Sequence, residues 1–136
     1  RRGMTHPNVE RLEAFLGAYA DHDPQRIGAA LTEDAVWHVG GTHRLSGDYR
    51  GREAILDYFG RVGAETAGTL RLDPIELMAN EERGAAFLRV TGEREGHHLD
   101  VTMAEAFQFD GAGRIREFWA HATDQDAINR FWSQEK

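Results

Sequence analysis

The chain has 136 residues, 16 basic and 23 acidic side chains, a formal net charge of −7 and no cysteine. That length suits one domain, residues 1–136, with a core large enough to need no covalent staples, and the missing cysteine excludes disulfides, thiolate nucleophiles and cysteine-ligated zinc. An acidic surface repels phosphate backbones, so no nucleic-acid partner is expected. No apolar run approaches the roughly 20 residues of a membrane span, and no apolar segment follows Arg1-Arg2-Gly3-Met4, so neither a membrane partner nor a signal peptide is expected and the reading is cytoplasmic.

Pro7 suits the first turn of a helix, and Val9, Leu12, Phe15, Leu16 and Tyr19 then recur at helical spacing to about Asp21. Asp23-Pro24 reads as the cap and first residue of a short second helix that buries Ile27, Ala30 and Leu31. A strand over Asp34–Val39 ends at Gly40-Gly41, and Thr42–Gly51 reads as a loop. Ile55, Leu56, Phe59 and Val62 mark a third helix from about Arg52 to Glu65.

From Thr69 the period becomes two. Leu70 and Leu72 share one parity and Ile75 and Leu77 the other, so a bulge is expected at Asp73-Pro74. After a turn at Asn80–Gly84 come strands over Ala85–Glu93 and Leu99–Phe109. The second of these puts Leu99, Val101, Met103, Glu105, Phe107 and Phe109 on one face. The hairpin Asp110-Gly111-Ala112-Gly113 leads to a strand over Arg114–Thr123, with Ile115, Glu117, Trp119 and His121 on one parity. Asp124 caps a last helix carrying Ile128, Phe131 and Trp132. The expected fold is α+β: a cone-shaped, curved antiparallel sheet covered by three N-terminal helices, with one apolar pocket at its mouth.

Five segments carry a resemblance to a known superfamily. They are Ala20–Pro24 with Ile27 and Leu31, Glu33–Trp37, Leu45–Ile55, Ala106–Ile115 and Asp124–Trp132. In this order they resemble the nuclear transport factor 2-like superfamily, in its SnoaL-like and ketosteroid-isomerase-like branch. The resemblance implies the cone, a homodimer through the outer sheet face, and any of several roles: isomerase, cyclase, dehydratase, epoxide hydrolase or non-catalytic binding domain. The outward row Thr102, Ala104, Ala106 and Gln108 suits such a dimer face.

Glu105 is the most informative residue, a carboxyl at an inward position between Met103 and Phe107. Desolvation there favours the protonated form, which can donate a hydrogen bond, whereas a strand bulge would turn it to solvent or to Arg89. The resemblance makes it the counterpart of the isomerase's protonated aspartic acid. His121, two residues beyond Trp119, is a candidate proton shuttle where SnoaL-like cyclases carry a carboxylate; its alternative is a rim position beside Asp124. His38 is a third candidate, and strand alternation lets only one of Trp37 and His38 point inward.

Phe15, Tyr19, Trp37, Tyr58, Phe59, Arg89, Met103, Phe107 and Trp119 are the expected substrate-binding residues. His43, Arg44, Tyr49 and Arg50 lie on a loop that either closes the mouth or is merely solvated. Two positions depart from the isomerase pattern: Phe15 stands where it has a tyrosine and Val39 where it has a carboxylate base, so steroid isomerisation is not expected. Arg89 with Glu105 imitates the epoxide hydrolases' Asp–Arg–Asp set only loosely. The expectation is an enzyme using acid/base groups, without metal or cofactor, on a small, largely apolar, oxygen-bearing substrate; the alternative is a binding or assembly domain.

Overall fold

A computed structural model describes residues 6–133, so the absence of a signal peptide expected at the N-terminus lies outside the described residues. Helix α1 spans Pro7–Ala20, and His6 caps it by accepting from the Asn8 amide. Helix α2 spans Pro24–Ala29 under the Asp23 cap, and α3 spans Arg52–Glu65. Helix α4 spans Gln125–Phe131, with Asp124 accepting from the Ala127 amide. These caps satisfy amides that the first turn leaves without helical partners, at the positions the sequence marks.

Six strands form one sheet: β1 (Leu31–Val39), β2 (Gly47–Arg50), β3 (Arg71–Ala79), β4 (Arg83–Arg94), β5 (His97–Phe109) and β6 (Ile115–Ala122), in the order β2-β1-β6-β5-β4-β3. The Thr42–Gly51 loop therefore holds a short strand, and β1 begins three residues earlier than its pattern suggests. All pairings are antiparallel except β1 with β6, which runs parallel. The fold is α+β with a curved, open sheet whose concave face is covered by helices.

Two bulges decide which residues face the cone. On β3 the register shifts between Pro74 and Glu76, where the proline cannot donate to the ladder. Ile75 is the extra residue and is left 62% exposed, rather than sharing an inward row with Leu77. On β6, Phe109 pairs with Ile115 but Gln108 pairs with Glu117, so Arg116 is extra and parity inverts beyond it. Phe118, buried, and Ala120 therefore face inward, and Glu117, Trp119 and His121 face outward. This corrects the uninterrupted inward row expected for Ile115 through His121.

Candidate functional site: a polar cluster in an aromatic cavity

The helices lie across the concave face but do not fill it. They leave a cavity that opens to solvent at its mouth. Its wall is aromatic. Trp37 and Phe118 stack face to face at 3.7 Å, and Phe59 meets Trp37 edge-on at 5.2 Å. Phe15, from α1, closes on Trp37 at 5.7 Å. Met103 also lines the space, whereas Phe107 is buried behind Phe118 and Phe15 and supports the wall from outside the lining.

Glu105 lies in this wall. Its neighbours across the sheet are Ala86 and Ala120, and these small side chains leave room beside the carboxyl. The residue is 8% exposed, and burial alone pushes its pKa up to about 8. At neutral pH it therefore holds its proton. Tyr19 and Tyr58 line the same cavity, and burial, with the nearby Glu105 charge, raises both phenols far above their ordinary range. Among the described residues, none of these three side chains has a protein hydrogen-bond partner. All three line one cavity and keep their hydrogen-bonding capacity free, so a guest entering it would meet three polar groups able to bond it.

The other nominated residues sit elsewhere. His121 is exposed on the outer face, turned away by the Arg116 bulge. His38 borders the mouth, but Nδ1 bonds Asp48 and Nε2 bonds Glu117, each at 2.7 Å, and its ring stacks on Trp119. The Glu117 bond is the largest of the influences that raise its pKa. With both nitrogens engaged by carboxylates it has no site left for a substrate proton. Trp119 therefore belongs to the outer face and not to the cavity lining. Arg89 is also outward, on the exposed row of β4, where Asp100 accepts from Nε at 2.9 Å and from the terminal nitrogen at 2.6 Å. His121→Ala is accordingly expected to leave ligand affinity within twofold of the parent, which a fluorescence titration would check.

Several lining residues escaped the sequence reading. Phe118 became an inward residue only through the bulge. Gln125, Ile128 and Trp132 come from α4 and its end, and they line the cavity with His43, which the sequence places on a loop that either closes the mouth or is solvated. Their placement depends on long-range contacts, such as the Thr42 amide donating to Asn129 Oδ1, that no local pattern reports.

The SnoaL-like domain family matches residues 12–118. Bal32a, from a soil-derived mobile gene cassette, has a similar structure, with TM-score 0.88 and 34% identity over 92% of this chain and 95% of its own. An uncharacterised protein of Mycobacterium tuberculosis is 26% identical over 131 residues, covering 93% of this chain and 96% of its own length. TerC, co-crystallised with polyporic acid, shares the fold at TM-score 0.80 and 19% identity, over 93% of this chain and 98% of its own. The candidate polyketide cyclase IdmH of Streptomyces antibioticus does so at 0.74 and 17%, over 90% and 96%.

Proposed function

The chain belongs to the SnoaL-like domain family, and on that premise we propose that it is an acid/base enzyme, independent of metal or cofactor, acting on a small, largely apolar ring compound that bears a carbonyl or enol oxygen. The observation that carries this is the convergence of Glu105, Tyr19 and Tyr58, all without protein partners, in an aromatic cavity. Protonated Glu105 would donate to the substrate oxygen, and the two phenols would hold it in place. A pKa of about 8 lies near the working pH, so this single carboxyl can give a proton and take one back. Enolisation, cyclisation and dehydration are the reaction types open to such a group. TerC's co-crystallisation with polyporic acid supports an oxygenated ring compound as guest.

The test is exchange of the α-hydrogens of 2-tetralone for deuterium, followed by proton NMR. The expected result is exchange above the buffer rate that falls at least 100-fold in Glu105→Gln. If a panel of bicyclic ketones is bound but none exchanges, the binding-domain reading replaces this one. That second reading has its own support, since both histidines nominated as shuttles lie outside the cavity or are fully engaged.

The outer sheet face supports a homodimer as part of the proposal. Phe87 is 38% exposed on that face, with Ala104 opposite it on β5 and Trp119 and His121 beyond on β6. Phe87→Glu places a charge in the middle of the patch and is expected to weaken dimerisation at least tenfold. Sedimentation velocity over a concentration series measures this; a monomeric parent chain would refute the dimer.

A further inference from the structure

His43 is the one histidine lining the cavity whose ring is left with a free donor, among the described residues. The Leu45 amide donates to Nδ1 at 3.1 Å. A backbone N–H can only donate, so Nδ1 is the bare nitrogen and the proton of the neutral ring sits on Nε2. That Nε2 atom is buried and has no hydrogen-bond partner, although the ring lines the cavity. Burial is also the largest influence on its pKa and lowers it; the Gly40 carbonyl, close enough to act on the ring but outside hydrogen-bond geometry, opposes this, and the Arg44 charge adds to it. The ring is therefore neutral at working pH, with one N–H to give and no basic nitrogen facing the cavity.

The loop around it is tightly held. The His43 amide donates to Ser46 Oγ, and Ser46 Oγ donates to the Gly40 carbonyl, each at 3.0 Å. Leu45 is fully buried, and its carbonyl accepts from the Tyr49 hydroxyl at 2.7 Å. Asn129 on α4 receives the Thr42 amide. A donor held by this many bonds is pre-organised, so little ordering cost remains when a ligand arrives.

We propose that His43 contacts the ligand through Nε2–H and holds a second oxygen, apart from the one at Glu105, so that the preferred substrate class is a flat ring system with oxygen at both ends. His43 lies on the loop beyond Gly40, which the sheet sets apart from Glu105. Glu105 pairs with Ala120, and Gly40 at the end of β1 lies against the Ala120 carbonyl. Glu105 and Gly40 are thus two strand spacings apart, about 10 Å, with the Trp37–Phe118 stack on the wall that includes β1 and β6. His43 is then a specificity residue for doubly oxygenated rings. The inference rests on the proposed cavity function but makes a separate demand on the ligand.

The experiment compares 2-naphthol with 2,6-dihydroxynaphthalene by quenching of tryptophan fluorescence, in the parent chain and in His43→Asn. Asparagine retains an acceptor for the Leu45 amide and removes the Nε2 donor, and a thermal melt would verify that the fold is kept. The expected result is that the second hydroxyl tightens binding at least fivefold in the parent and less than twofold in His43→Asn. Nitrogen-15 NMR of the free protein should show His43 as the Nε2–H tautomer. An equal advantage in both proteins, or an Nδ1–H tautomer, would overturn the proposal. Failure of both naphthols to bind the parent would overturn the ligand cavity itself and this inference with it, whereas binding without discrimination overturns only the role of His43.

Discussion

Glu105→Gln should yield a protein that is more stable than the parent at pH 7 and has lost its proton-transfer activity. Burial lifts the Glu105 pKa from 4.5 to about 8 in the folded state. Below pH about 4.5 the carboxyl is protonated in folded and unfolded chains alike, and its burial is uncharged. As pH rises the unfolded chain ionises first, so stability drains away until pH 8 is passed and then stays level. Glutamine is neutral throughout and escapes this loss. At about 1.4 kcal/mol per unit the parent's penalty at pH 7 amounts to roughly 3 kcal/mol, and the amide's own desolvation takes back part of it. The net expected gain is about 2 kcal/mol, read from urea unfolding at pH 7, and it should vanish at pH 4.5. A variant destabilised at both pH values would show that Glu105 is held by a partner rather than strained by burial. Stability given up at a functional group is the usual sign that selection acts on activity there.

Much of this site was legible in the sequence. The inward parity of β5 puts Glu105 between Met103 and Phe107, and the structure keeps that row intact because β5 carries no bulge before Phe109. Phe15 and Phe59 were also legible, since helical periodicity fixes those faces locally, whereas strand alternation left open which of Trp37 and His38 points inward, and the fold buries Trp37. The rest was hidden by two kinds of event. A single extra residue at Arg116 inverts a whole strand, exchanging His121 for Phe118 at the cavity, and nothing in the local composition marks it. The proline at the β3 bulge, by contrast, announces its own irregularity. His43 was legible only as part of a loop that either closes the mouth or is solvated, because its tautomer and direction come from bonds to Leu45, Ser46 and α4, which exist only once the mouth is assembled.

That mouth depends on one buried charge. Arg94, at the end of β4, is only 6% exposed. It donates from Nε to Glu65 at 3.2 Å and to the carbonyls of Phe131 and Ser133 at 3.0 and 3.3 Å, with its guanidinium 5.9 Å from the Trp132 ring. Glu65 also pairs with Arg44, whose Nε donates to the Trp132 carbonyl at 3.2 Å. One carboxylate at the end of α3 thus ties the 40s loop to the C-terminal helix. Removing the carboxylate and removing the arginine should have unequal effects. Glu65→Gln leaves Arg94 charged and buried with carbonyls alone, and an uncompensated buried charge costs about 3 kcal/mol. Arg94→Met removes the buried charge, leaves Glu65 paired with Arg44, and should cost about 1 kcal/mol or less. Equal losses in the two variants, measured by urea unfolding at pH 7, would refute a charge-based role. The pH dependence gives an independent reading. The Arg44 bond is the main influence lowering the Glu65 pKa below 4.5, so its contribution is present above pH 4.5 and lost as pH falls through the folded value. Glu105 acts in the opposite sense above 4.5. The two carboxyls together place greatest stability near pH 4.5, and Glu65→Gln should flatten the acid side of that maximum while leaving the alkaline decline caused by Glu105 in place.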